Sequence, residues 1–431
     1  MSKTRRRVKP LGLIAVLALV LGACGGDGTA ETTAGPATTA APTETTEAAP
    51  ETTAAPTETT EPASTEPVRI GLLTDLTGFT PWAVQAQDGF MLAAQEINDA
   101  GGIDGRMIEI VVQDSENDQD AGVTGYERLA EEGVVAIGGI ISSTVGAAVS
   151  PIAEELQIPT FLIKSGTEAA LTADSRYMFR TCLPAAPMDA GPVLQYAQAQ
   201  GLTRVGAIVA DYAWGHSFAA AMENTFADSG IEFQIETAPV PPDTDFTPFV
   251  RAMADFGAEM IVATGHPPGS GPILALSADL HDVPVTGAWS PPNLVLGNLA
   301  ETAIGRYADF ACADYFSDGY ADLATRYLAF SENQFMSDDA VAGFGIVTMV
   351  AQAVGEVGDD PVAIAEYLHA NSFDLEGYAH PMSWTEWGEL AESQPIFTLI
   401  NEGPAPEGLN EAGDWWFDLL VHAEPLEPFQ P

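Results

Sequence analysis

The stretch VRIGLLTDLTGFTPWAVQAQDGFMLAAQEINDAGGIDGRMIEIVVQD, residues 68–114, decides how the chain is read. It opens on VRIGLL (68–73), an apolar run of strand length. DGFMLAAQEINDA (88–100) follows, with Phe90, Met91, Ala94 and Ile97 on one helical face and Gly101 placed to stop the helix. MIEIVV (107–112) is a second strand. Strand, helix, strand is the unit that builds a parallel sheet covered by helices on both faces.

The rhythm continues downstream. Helices near 119–132 and 144–157 alternate with VVAIGGI (134–140) and PTFLI (159–163), and a strand near YMFRT (177–181) follows. It then restarts. A helix near 188–200 precedes RVGAIVA (204–210), and helices near 215–229, 246–257 and 270–281 alternate with IEFQIE (231–236), MIVAT (260–264) and VPVTG (283–287). About 360 residues exceed what one such sheet organises, so two similar doubly wound lobes are expected. Ligands of open parallel sheets sit beyond the carboxyl ends of the strands, so two facing lobes make a cleft.

The N-terminal end reads as an export signal. Lys3, Arg5, Arg6, Arg7 and Lys9 precede LGLIAVLALVL (11–21), an apolar run too short to span a bilayer. Leu21-Gly22-Ala23-Cys24 then has the pattern of a lipobox, which predicts a signal peptide over 1–23 and lipidation of Cys24. Residues 24–66 are a Thr/Ala/Pro/Glu segment in which PTETTE occurs twice (42–47 and 56–61); with almost no large apolar residues it is expected to be a disordered tether.

Removing residues 1–23 deletes five basic residues and no acidic ones, so the net charge of −46 becomes −51. Such a surface repels nucleic acid and anionic lipid headgroups, and leaves the lipid anchor as the membrane link. No GxSxG, Walker A, HExxH or strand-following GxGxxG pattern is present, which argues against an enzyme. DSENDQD (114–120) starts with calcium-loop spacing, but Gln119 replaces the turn glycine and Gly125 the bidentate glutamate. It reads as a polar loop at the cleft rim. The six histidines lack metal-ligand spacing, and neither metal nor cofactor is expected.

The opening stretch closely resembles that of the Leu/Ile/Val-binding protein family, the type I periplasmic binding proteins of ABC importers. The likeness continues in order through IGGIISSTVGAAVSPIAEELQIPTFLIKSGTEAALT, FRT, VADYAWGHSF and DTDFTPFVRAMADFGAEMIVA, to about Asp314. It implies a chain that crosses three times between lobes, near 180–184, 309–314 and 375–382. Lobe I would then be 67–182 plus 313–378, and lobe II 183–312 plus 379–431. Cys182 and Cys312, an even pair in an oxidising compartment, would lie side by side on the first two crossings as a disulfide. A small-molecule ligand, with ABC permease and ATPase subunits as partners, is the function implied. A ligand-sensing receptor module on the same scaffold is the alternative.

The resemblance also places a site. Ser142 and Ser143 open a helix whose N-terminal N–H groups suit a carboxylate. Ser165, Gly166 and Thr167 fall on the loop that holds an amino acid's carboxylate and ammonium, and Thr167 also fits as an N-cap. Trp82, Trp214 and His266 fall at or near aromatic pocket positions. Trp289, in VPVTGAWSPPN, stands where amino-acid binders carry the acidic partner of the ammonium. Lys164 is one of three lysines in the chain, the others being Lys3 and Lys9. It reads either as a cation favouring an anionic ligand at the cleft or as a solvent-facing residue at a strand end.

Overall fold

The computed structural model describes residues 65–78, 80–241, 244–287, 299–422 and 424–431. The expected signal peptide, Cys24, the expected tether up to residue 64, and Trp289 lie outside them.

The first sheet holds β1 (Val68–Thr74), β2 (Ile108–Asp114), β3 (Ala136–Ile140), β4 (Thr160–Leu162) and β5 (Met178–Arg180). Their order is β2-β1-β3-β4-β5, and every pairing is parallel. β3 is buried along its whole length, the continuous apolar pattern of a strand covered on both faces. The connecting helices are α1 (Thr80–Asp99), α2 (Gln119–Glu131) and α3 (Ser143–Leu156).

The second sheet runs β12-β11-β10-β9-β8-β6-β7. Its parallel part is β6 (Arg204–Ala210), β7 (Glu232–Ala238), β8 (Ile261–Val262), β9 (Val285–Thr286) and β10 (Tyr307–Ala311). These strands are linked by α4 (Ala186–Ala199), α5 (Ala213–Phe226), α6 (Thr247–Phe256), α7 (Ser270–Leu280) and the short α8 (Ala300–Ala303). β11 (Ile396–Glu402) and β12 (Trp415–His422) then extend the sheet in antiparallel fashion. The WWF run that starts β12 buries Trp415 and Phe417 and leaves Trp416 between them half-covered, the period-two signature of a strand. Phe417 stacks on Tyr315 at 4.2 Å.

The chain between β10 and β11 returns to the first sheet as α9 (Asp318–Phe330), α10 (Asp338–Val357) and α11 (Pro361–Ala370). α10 is long and apolar enough to cross a membrane, yet it is mostly buried and lies against α1 as a core helix. The two helices approach so closely that a Cβ on Gly89 would overlap the Ala340 carbonyl, and one on Gly343 the Ala86 carbonyl.

Three strands of chain meet between the sheets. Cys182, just past β5, and Cys312, just past β10, are joined in a disulfide with Cα atoms 5.3 Å apart. Ala379 N–H donates to Cys312 O at 3.0 Å, and Ala313 bridges Tyr378. The third crossing nevertheless comes later than residue 378, a correction to the expected lobe boundary. Met382 bridges Phe373, Trp384 packs edge-on to Phe179 at 5.1 Å, and Gly388 O accepts the N–H of Arg180. Residues 382–390 thus finish the exposed edge of β5, and the chain joins the second sheet only at Ile396. The C-terminal tail folds back over this segment. Leu426 N–H donates to Ser393 O, Trp387 Nε1 to Phe429 O, and Glu424 N–H to Gln195 Oε1 on α4.

The disulfide closes a separation of 130 residues. In the chain-entropy model that constraint contributes about 4–5 kcal/mol. A Cys182→Ser/Cys312→Ser double variant is expected to lose that much in urea unfolding; an unchanged midpoint would count against the bridge.

Candidate functional site

Residues just past the carboxyl ends of the two sheets' strands face each other. From the first sheet come Thr74 at the end of β1 and Asp75 after it, Ser142 and Ser143 after β3, and Lys164–Thr167 after β4. From the second come Tyr212, Trp214 and Ser217 at the start of α5. Thr167 Oγ1 and Ser217 Oγ share a hydrogen bond of 3.0 Å across the gap. Any Cβ on Gly166 would overlap the six-membered ring of Trp214, so this glycine lets the opposing indole close down. Trp214 is anchored behind by Nε1 donating to Thr264 O at 3.0 Å and by Phe218 at 5.6 Å. Trp82, Ala83 and Ile141 form a small apolar cluster, against which Leu76 and Tyr212 pack.

Ser142 occupies the N-cap position of α3, but its side chain caps nothing. Its buried Oγ has no hydrogen-bond partner in the protein, and neither does that of Ser165. Ser143 Oγ accepts the N–H of Thr167 at 3.4 Å. Thr167 caps the short 3-10 turn Glu168–Ala170 as well as meeting Ser217. Hydroxyls that are buried and unpartnered cost free energy, and at a helix N-terminus they suit an anionic or hydrogen-bonding guest.

The loop is held in place from behind by Arg180, a wholly buried residue of β5. Its guanidinium donates to Ser165 O, to Thr167 O at 2.8 Å and to Glu389 Oε2 at 2.9 Å. In a trans peptide the N–H points opposite to the carbonyl, so the N–H groups of Gly166 and Glu168 are turned away from Arg180. Glu389 is equally buried; burial raises its pKa while Arg180 opposes the rise.

Lys164 is neither solvent-facing nor a spare cation. Its Nζ lies 3.0 Å from both carboxylate oxygens of Asp338 and 3.8 Å from Asp339, and all three side chains are buried. Burial pushes the Asp339 pKa up, while the neighbouring Lys164 opposes the rise. The expectation that Lys164 lends positive potential to the cleft is corrected accordingly: its charge is consumed at the N-terminus of α10, beside the disulfide. Asp338 Oδ2 is 3.4 Å from Cys182 Sγ.

His266 is buried past the carboxyl end of β8, at the start of the 3-10 turn Pro267–Gly269, and its Nδ1 has no hydrogen-bond partner in the protein. Its ring meets Phe246 edge-on at 5.0 Å, Nε2 lies 3.1 Å from Pro239 O, and burial lowers its pKa. The acidic rim loop acts as local scaffolding. Asp118 caps α2, and Asp114 Oδ2 accepts the Thr77 hydroxyl at 2.6 Å.

Comparison with known proteins adds to this geometry. The family model described as "Periplasmic binding protein" matches residues 67–399. The chain belongs to the periplasmic binding protein family. A Brucella melitensis protein named Leu/Ile/Val-binding protein homolog 3 is 26% identical over 348 residues, spanning 77% of this chain and 90% of the relative. A Pseudomonas aeruginosa protein named for binding leucine, isoleucine, valine, threonine and alanine is 24% identical, over 72% and 84%. Among solved structures, a fatty acid ABC transporter substrate-binding protein from Thermomonospora curvata superposes with a TM-score of 0.71 at 20% identity, over 83% and 93%. A leucine-binding protein from Thermotoga maritima gives 0.70 at 16%, over 84% and 99%. These structural likenesses show the fold, that of type I periplasmic binding proteins, and the family is one of solute binders rather than enzymes.

In this periplasmic binding protein the groups that sequence reasoning did not single out are Arg180, Glu389, Asp338, Asp339, Tyr212 and Asp75. Their signals were present but generic: an arginine inside a strand, and Ser-Asp-Asp opening a helix. Asp75, the first residue beyond β1, is fully buried. Burial pushes its pKa up to about 6, against the Ser115 hydroxyl and the nearby N–H groups of Ser142 and Asn117.

Two tests follow from these buried charges. Glu389→Gln strips Arg180 of its counter-charge and is expected to cost about 3–5 kcal/mol in chemical denaturation. Asp75, with a pKa raised in the fold, favours the folded state only when protonated. Its contribution is full below the ordinary value of 3.8 and is lost as pH rises through about 6. Asp75→Asn is therefore expected to stabilise by about 3 kcal/mol at pH 7.5 and by almost nothing near pH 4, as read from paired urea titrations.

Proposed function

We propose that this protein is the substrate-binding lipoprotein of an ABC importer. It is exported, held on the outer face of the membrane by a lipid on Cys24, and tethered by the Thr/Pro-rich segment to about residue 66. It captures a small carboxylate or amino-acid-like solute between two lobes, one built on each sheet, and delivers it to permease and ATPase subunits. The named relatives and the fold support this reading, as do the signal-like N-terminus and lipobox in the sequence.

The observation that carries the reading is the convergence of Ser142, Ser143 and Ser165–Thr167 on Trp214 and Ser217 across the inter-sheet gap. On one side stand unpartnered hydroxyls and the N-terminus of α3; on the other stands an aromatic wall. Trp82 and Tyr212 line the same gap from opposite sheets. A solute enclosed there exchanges its water for directed polar groups at one end and apolar surface at the other. Lobe closure about the crossings joined by Cys182–Cys312 is the motion such a site uses.

Gly166→Ala places a methyl group in the Trp214 ring and is expected to prop the lobes apart. A ligand found by thermal-shift screening should bind this variant at least about tenfold more weakly in calorimetry, with the unfolding midpoint of the free protein little changed. Affinity equal to the unaltered protein would refute the cleft as the binding site.

A further inference from the structure

The order of the first sheet reverses between β1 and β3, so the loops leaving those strands part and open a crevice. Asp75 is the first residue past β1, and Ser142 lies two residues past β3. Asp75 Oδ1 accepts the Ser115 hydroxyl, whereas Oδ2 has no hydrogen-bond partner in the protein. Thr74 Oγ1 and Ser142 Oγ, its neighbours at this edge, are equally buried and equally unpartnered. No lysine or arginine is paired with Asp75 among the described residues. Across the gap, Tyr212 feels its charge, which adds to burial in raising the phenol's pKa.

A carboxylate in this state is costly. Two other buried acids near the gap are matched by a cation at hydrogen-bond distance: Asp338 by Lys164, and Glu389 by Arg180. Structural acids of that kind are neutralised by the protein itself. Asp75 keeps one oxygen uncommitted, at the crevice where the fold receives a guest. Meanwhile Trp289 occupies the sequence position where an acidic partner from the second lobe is expected.

We propose that Asp75 is the specificity-determining carboxylate of the cleft, accepting a cationic nitrogen of the solute through Oδ2, so that the counter-charge comes from the first sheet's β1 turn. This inference rests on the cleft being the binding site. The solute then spans α3's N-terminus. Its positively charged, N–H-bearing end lies toward β1, and its anionic or polar end lies toward Ser143, Ser165 and Thr167 on the β4 side. An aromatic or aliphatic acid lacking the nitrogen would leave Asp75 unmatched and would bring a second negative charge beside it.

The test uses pairs of solutes that differ only in the amine, namely leucine against 4-methylpentanoate and phenylalanine against 3-phenylpropanoate, titrated calorimetrically at pH 7.5. The unaltered protein is expected to bind one amine-bearing member at least ten times more tightly than its des-amino partner. Asp75→Asn, which keeps the side chain's shape and can accept but not neutralise, should bring that ratio to within about threefold of unity. Equal or better binding of the des-amino acids by the unaltered protein overturns the proposal, as does an undiminished amine preference in Asp75→Asn. Gly166→Ala is run in parallel to keep the two readings apart. If amine preference is absent but Gly166→Ala still weakens binding, Asp75 alone is refuted. If Gly166→Ala leaves binding intact, or no solute binds at all, the cleft reading falls with it.

Discussion

The guanidinium of Arg180 is the constraint on which the site depends. A buried cation has to be satisfied, and this one finds two carbonyls of a single loop and one buried carboxylate. Tying down Ser165 O and Thr167 O fixes the loop's peptide planes, which sets where its N–H groups point before any guest arrives. The adjacent residue repeats the device, with Lys164 paired to Asp338 on a helix from a distant part of the chain. Four successive residues are thereby held by two buried ion pairs. Such pairs are poor bargains for stability alone, but they determine geometry, because each has few arrangements in which all donors are met.

The ion pairs also join the site to the crossings. Asp338 lies beside the Cys182–Cys312 bridge, and Glu389 belongs to the segment that finishes the β5 edge before the chain leaves for the second sheet. Residues of the β4 loop are therefore in contact with the parts of the chain that pass between the sheets. Gly166 meets the opposite lobe directly at Trp214.

Much of the architecture was legible in the sequence, and for a physical reason. Covered parallel strands need unbroken apolar runs, and crossover helices need one apolar face, so β1 to β9 and α1 to α7 announce themselves by period. β11 and β12 did not, because a polar, proline-containing connection (403–408) separates them and a single WWF run gives too short an alternation to read. The site was half legible. Its serines, threonine and tryptophans sit at loop positions that a resemblance can carry over. Arg180, Asp338, Glu389 and Asp75 are defined by what they touch across 13 to 209 positions of sequence, and no local pattern encodes such partners. Lys164 shows the same limit from the other side: its rarity marked it out, but its partner decided its role.

The tail beyond β12 gives the molecule a strap. It is fastened to α4 through Glu424, to Ser393 through Leu426, and to Trp387 on the first-sheet side through Phe429. Its fastenings straddle the boundary between the halves, so swinging them apart must stretch or peel the last eight residues. On the proposed lobe motion, residues 424–431 would be carried along with it, and added mass on them would burden the opening stroke.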